Sequence, residues 1–416
     1  MRLRMILRPG GGGNLRSDDA YSPLVFDICQ RFKSAGYHAV LVGGCVRDTL
    51  LGYQAHDCDI EVFGAETLDD VKVVIDDMGP VSMVGRSYQV LKLKVGGQEF
   101  DLSLPRRDVK LGVGHRGFEA VSDASMSFKE AASRRDFTIN AMGFDPLTTQ
   151  LLDPFGGQQD LENKRLRHVS DAFAEDPLRA LRAVQFVARF DLTIDADTAA
   201  LCRTLELTEL SKERIFGELS KLLLLSKRPS IGFNVMTDTG VISLFKELAT
   251  LGPLWHDMLN AVDKMAKERN ARLVLMLSAM CYFLTEEATK ALLKRLTSDT
   301  DLKADVVALT RACRLLPIER MSDADIRQLS TWCVIDDVVL LANAVGKPVP
   351  GLNDRAQALG VLFGPMPALI LGRHVLESGV LPGPEVGRWV KAAYKAQIAG
   401  EFGTEAEGVV WLRSRL

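Results

Sequence analysis

A short apolar run that ends in two glycines constrains this chain most. Ala39-Val40-Leu41-Val42 reads as a buried strand, and Gly43-Gly44 stop it abruptly. Val46, Leu50 and Leu51 then fall at helical spacing, which sets the glycines in a strand-to-helix turn. Such a turn lets backbone approach an anion closely, with helix amides aimed at it and Arg47 adding positive charge. In a second strand a few residues on, Asp57 and Asp59 alternate with apolar neighbours. Alternate residues of a strand share a face and lie roughly 6–7 Å apart. Two carboxylates so placed reach a pair of cations about 3.5–4 Å apart, the two-metal arrangement of phosphoryl and nucleotidyl transfer.

An isolated Asp-x-Asp is more often the wet face of a half-buried strand. Asp101 weighs against that, because it follows apolar Phe100 in another predicted strand of the same sheet. Three converging acids repel unless a cation joins them. The third can ligate metal or take a proton from an attacking hydroxyl. His56 and Cys58, with Cys45 nearby, invite a zinc reading. They alternate with the aspartates and lack paired-cysteine spacing, so buried, neutral residues are expected.

At 416 residues the chain exceeds one ordinary core, and two to four domains are expected. Apolar content of 47% and charged content of 25% are those of a soluble globular protein. A net charge of −3 gives no global pull toward nucleic acid, so any polyanion site must come from local clustering. Seven cysteines without a CxxC pair read as reduced thiols of a cytoplasmic protein. No apolar run approaches the ~20 residues that span a bilayer, so no membrane partner is expected. Residues 1–20, with four glycines at 10–13, read as a loose leader.

Along the chain, residues 21–36 suggest an amphipathic helix and 71–78 a covering helix. Residues 88–95 and 99–104 read as strands around a Gly96-Gly97 hairpin. The polar, basic segment 105–123 reads as a mobile loop. Beyond Leu166 strand signals fade. The expected fold is α+β, a head with a small mixed sheet followed by a long helical remainder.

Arg134-Arg135-Asp136 precedes an apolar run read as a strand. The bland reading is a salt-bridged strand entry; the functional one gives an arginine to a triphosphate, and Arg135 with Asp136 to ribose hydroxyls. Asp176 is placed like an N-cap, with Pro177 at the first helical position. Arg179, three residues on, shares its helix face. An accepting Asp beside a donating Arg matches the amino group and ring nitrogen of cytosine and adenine, and mismatches uracil and guanine. A good bidentate base contact is worth roughly 1–3 kcal/mol of discrimination. Arg182, a turn further, would reinforce this or hold phosphate. Glu213, Arg214 and Glu218 read as ion pairs tying neighbouring helices together.

Five ordered blocks carry a resemblance: Gly43-Gly44-Cys45-Val46-Arg47-Asp48; Asp57-Cys58-Asp59; Arg134-Arg135-Asp136-Phe137-Thr138-Ile139-Asn140-Ala141; Glu175-Asp176-Pro177-Leu178-Arg179; and Glu213-Arg214. Together they resemble the class II tRNA nucleotidyltransferases and bacterial poly(A) polymerases, of the polymerase-β-like superfamily. The resemblance implies a head (21–165), a helical neck with a nucleotide-selecting helix (166–230), a helical body (231–350) and a helical tail (351–416). It implies one Mg2+-dependent site in which protein side chains, not a template, choose the base. Asp57 and Asp59 are then the metal ligands and Asp101 the third carboxylate. Gly43, Gly44, Arg47, Arg134, Arg135, Asp136, Asn140 and Arg182 surround the nucleotide, and Asp176 and Arg179 read its base.

The body resembles an HD-type phosphohydrolase scaffold in which Tyr282-Phe283 stands where a His-Asp metal pair would be. That substitution implies a scaffold without phosphohydrolase activity. The implied activity is addition of CMP and AMP, from CTP and ATP, to the tRNA 3′ end with release of pyrophosphate. CC-only, A-only and poly(A) addition remain as variants of it. The basic segment bearing Arg106, Arg107, Lys110 and Arg116 tilts toward finishing with A, because C-only members of the family lack such a loop. Arg388, Lys391 and Lys395, near one face of a tail helix, read as a solvated face or as a phosphate-contacting patch for tRNA. A small-molecule nucleotidyltransferase would need neither the base-reading helix nor the tail, and an inactive RNA-binding module would be expected to have lost an acid.

Overall fold

The computed structural model describes residues 21–53, 58–84, 90–110, 118–315 and 321–416. Asp57, His56, Arg116 and the leader 1–20 lie outside these residues, as does the side chain of Lys110. The chain divides into two compact units. One runs to Leu210 and includes Val235–Val241, and the other comprises Ser211–Asn234 and Ile242–Leu416.

The first unit is built on a seven-stranded mixed sheet. Its strands are β1 (His38–Val42), β2 (Cys58–Phe63), β3 (Val81–Val84), β4 (Val90–Val95), β5 (Gln98–Ser103), β8 (Gly143–Asp145) and β9 (Gln150–Leu152), in the order β3-β4-β5-β2-β1-β8-β9. Only β2 and β5 run parallel, and the other neighbours are antiparallel. Helix α1 (Pro23–Ser34) packs Val25, Ile28 and Phe32 inward, and α2 (Gly44–Leu50) follows β1 directly. The β4–β5 hairpin closes through Gly96 and Gly97, both at positive φ (57° and 76°), as a two-residue hairpin turn demands.

Three expectations change here. Helix α3 spans Leu68–Ile75 rather than 71–78, because Thr67 and Asp70 form a capping box that starts it earlier. Segment 105–123 is a ribbon rather than a loop: β6 (Arg106–Lys110) pairs antiparallel with β7 (Phe118–Ser122), with 111–117 outside the described residues. The run after Asp136 is not a strand. Thr138–Asn140 forms a 3-10 turn after α4 (Phe128–Ser133), and the strand begins at Gly143. The chain then continues through α5 (Gly157–Glu162) to α6 (Leu178–Phe190), whose Phe186 packs edge-on against Phe137 at 5.6 Å.

The second unit is helical. Ser211 caps α7 (Lys212–Leu225) by accepting from the Arg214 amide, and Glu218 pairs with Lys221 one turn along the same helix. In α8 (Leu273–Cys281) nearly every side chain is buried. Tyr282 follows it, buried, with Arg314 and Lys347 each 5.5 Å from the ring centroid and Arg314 donating to its carbonyl. Two cations therefore flank the Tyr282 ring. Near the C-terminus, α9 (Pro384–Ala399) and α10 (Glu405–Arg413) pack around Ile370, Val375, Ala393 and Leu412. Arg388, Lys391 and Lys395 are all exposed on α9. Among the described residues no helix is long and apolar enough to cross a membrane.

Candidate active site

Sheet register assembles the centre of the site. Asp59 lies opposite Val42 on one side and Asp101 on the other, and Asp101 lies opposite Lys92. Paired residues on adjacent strands point to one face about 4.8 Å apart, so the two carboxylates are neighbours. Asp59 is the one exposed residue of β2, whereas Cys58 is buried. The Lys92 ammonium donates to Asp101 Oδ1 at 2.8 Å and to Glu99 Oε1 at 2.6 Å, and these hydrogen bonds hold its pKa above the ordinary lysine value.

Val42 leads straight into Gly43, whose φ of 74° and ψ of −129° suit glycine. A Cβ added at Gly43 would stand 3.1 Å from Arg135 Nη1 and 3.8 Å from Asp59 Oδ2. The glycine turn, Asp59 and Arg135 thus meet at one place. Gly44 opens α2 beside the Arg47 guanidinium.

Four residues expected at the nucleotide instead form a buried network under the turn. Arg47 is buried; it bonds Asp48 and Asn140, and its guanidinium lies 4.5 Å from the Phe190 ring centroid. Asn140 in turn donates to Asp136 at 3.0 Å. Asp136 Oδ1 also accepts from the Phe137 amide, and Oδ2 takes Arg182 Nε and Nη2, each at 2.7 Å. A carboxylate has about four lone-pair sites, and these four donors fill them. Asp136 is thus engaged by the core in this structure. Arg47 likewise is held within the protein, by Asp48 and Asn140. Burial pushes the Asp136 carboxyl up, but Arg182 and the hydrogen bonds outweigh it and hold its pKa below the ordinary value.

Asp176 accepts from the Leu178 amide at 3.1 Å, as an N-cap does, and Pro177 follows in helical conformation. Arg179 donates to the Ala172 and Arg134 carbonyls, both at 2.6 Å. Asp176 and Arg179 are both half-buried, and Arg179 ties α6 to the segment that carries Arg135. Arg106 is partly buried, and Arg107 is exposed and bridges Asp123 at 2.9 Å.

One residue escapes a reading of the sequence. Glu61, two along from Asp59 and 1% exposed, faces Arg135 Nη2 at 3.3 Å and Arg134 Nη2 at 3.9 Å. The alternation expected of the acidic strand from its sequence extends to it. The Cys45 thiol is buried; Cys58 beside it and burial push its pKa up, which favours a neutral thiol over a zinc-binding thiolate. No cluster of three or more metal-ligating side chains occurs among the described residues, which exclude Asp57.

Comparison with known proteins agrees with this geometry. Residues 39–167 match the poly A polymerase head domain. Residues 191–251, which follow the head, match the probable RNA and SrmB-binding site of polymerase A. The resemblance drawn from the five motifs holds. A multifunctional CCA protein of Xylella fastidiosa is 44% identical over 190 residues, covering 44% of each chain. Another from Stenotrophomonas maltophilia is 41% identical over 219 residues, covering 51% of this chain and 52% of its own. The chain thus spans about half the length of the curated relatives it matches. Among solved structures, the Bacillus stearothermophilus CCA-adding enzyme in complex with CTP aligns with a TM-score of 0.74 at 24% identity, over 95% of this chain and 98% of its own. The Thermotoga maritima CCA-adding enzyme complexed with tRNA aligns at 0.64 and 21%, over 96% and 97%. At these identities the likeness is one of fold.

Proposed function

We propose that the chain is a template-independent nucleotidyltransferase that adds CMP and AMP, from CTP and ATP, to the 3′ end of tRNA with release of pyrophosphate. The observation that carries this reading is the meeting of the Gly43 turn, just past β1, with Asp59 and Asp101 on neighbouring strands and Arg135 at the turn. Relatives named CCA proteins and CCA-adding enzymes of like fold support the choice of tRNA.

Asp59 and Asp101 supply hard carboxylate oxygens, the donors magnesium prefers, and Asp57 lies two residues before Asp59 in sequence. Bound there, magnesium would activate the 3′ hydroxyl and neutralise charge on the pyrophosphate. The chain's own part is to hold the reactants. Arg135 meets the triphosphate at the glycine turn, and Asp176 with Arg179 reads the base edge from α6. Because the selecting helix is hydrogen-bonded to the Arg134 carbonyl, base choice and phosphate placement share one framework.

The test uses tRNAs ending before CCA, after C and after CC, each given CTP, ATP or both with magnesium, and the products are sized. Stepwise extension to CCA is expected. Long tails on unrelated RNA with no extension of any tRNA would refute the reading. Asp59→Asn should abolish extension while leaving thermal stability and tRNA affinity nearly unchanged.

A further inference from the structure

Glu61 sits on β2 between Val40 of β1 and Ser103 of β5, in the middle of the sheet and on the face that bears Asp59. A carboxylate so withdrawn from water is costly unless cations face it. Two do, and the Arg134 and Arg135 side chains, 21% and 22% exposed, stand between it and solvent. Within this trio two guanidiniums face one carboxylate, so Glu61 leaves guanidinium charge over for a second anion. Arg135 gives Nη2 to Glu61 and presents Nη1 at Gly43, close to Asp59. One end of its fork is anchored in the rigid sheet, and the other opens on the turn where an anion is expected.

We propose that Glu61 is a positioning residue that, paired with Arg134 and Arg135, sets the Arg135 guanidinium at the glycine turn to receive the β- and γ-phosphates of the incoming nucleotide. The assignment rests on the nucleotidyl-transfer reading of the same site. A central strand is suited to this task, because its backbone is fixed by pairing on both sides. A charge-assisted bond also aligns a planar guanidinium better than a neutral acceptor does.

The experiment compares the full chain with Glu61→Gln, Glu61→Asp, Arg135→Ala and the Glu61→Gln/Arg135→Ala double variant. Binding of CTP and of CMP is measured by equilibrium dialysis without tRNA, and each variant is checked by thermal melting. Glu61→Gln should weaken CTP on the order of tenfold while leaving CMP within about twofold, because only CTP carries the phosphates concerned. Glu61→Asp, which keeps the charge, should restore part of the loss. In the double variant the two losses should not add. If Glu61→Gln does not fold, the same comparison is read from Glu61→Asp with and without Arg135→Ala.

Unchanged CTP affinity, equal weakening of CTP and CMP, or additive losses would each overturn the proposal. A wild-type chain that binds CTP yet extends no tRNA would remove the transfer reading and leave the role of Glu61 standing. Extension by wild type with CTP affinity indifferent to Glu61 would do the reverse, and absence of CTP binding by wild type would remove both.

Discussion

Asp136→Ala asks whether the core or the nucleotide owns this carboxylate. Its removal strips the Phe137 amide and the Asn140 side-chain amide of their acceptor in a buried setting. Each such orphan costs about 1–3 kcal/mol. Arg182 loses its partner too, but at 30% exposure it rehydrates, so its share falls at the low end. The sum is about 3 kcal/mol, net of the burial cost that the carboxylate itself no longer incurs. For a unit of roughly 200 residues, 1 kcal/mol moves the transition by about 2–4 °C, so a fall of about 6–12 °C is expected. Calorimetry of the full chain would read it. All four tryptophans (Trp255, Trp332, Trp389 and Trp411) lie in the second unit, so a fluorescence melt should move much less. The effect should also depend on pH. The folded carboxyl is held below its unfolded value near 3.9, so the unfolded state binds more protons in that range. The stabilisation is complete above about pH 4 and fades as pH falls through the folded value, closing the gap between wild type and variant. A calorimetric shift under about 2 °C, or a gap that persists unchanged to pH 3, would refute the network account.

Gly43→Ala forces a β-carbon into a positive-φ conformation and against Arg135 Nη1, at a cost of about 1–3 kcal/mol. Calorimetry should show a lower transition temperature for the first unit, and extension assays at least a tenfold loss, in rough proportion to the displaced arginine. Asp176→Ala should relax the choice among nucleotides by roughly 1–3 kcal/mol, read as UTP or GTP incorporation against CTP and ATP, and retained wild-type selectivity would defeat the base-reading assignment. Reversing the exposed Arg388, Lys391 and Lys395 to glutamate should weaken tRNA binding and flatten its salt dependence by about one unit of slope for each phosphate no longer neutralised, with KM for CTP unchanged.

Much of the site is legible in the sequence because strand alternation and a glycine stop are local signals. Asp59, Asp101 and the Gly43 turn are readable as a group before any strand is paired. What sequence does not apportion is the second layer. Arg47, Asp136, Asn140 and Arg182 are polar like the residues expected at the nucleotide, and nothing in their order says which face inward. The β6–β7 ribbon escapes for a related reason: its pairing joins residues on either side of a polar segment, and alternation there is weak. The early start of α3, by contrast, is written locally in Thr67 and Asp70, where a capping box outranks the apolar spacing further on.

The sequence alone determined the α+β head, the acidic strand, the anion-approaching turn and the capped helix that follows Asp176, since each depends on neighbours within a few positions. Tertiary structure alone decided register and occupancy. It set Asp101 beside Asp59 by a parallel pairing across about forty residues. It also gave Asp136 to Asn140 and Arg182, and gave Glu61 two arginines more than seventy residues away. Such assignments depend on which donors are within about 3 Å once water is excluded, a competition that no single stretch of chain contains.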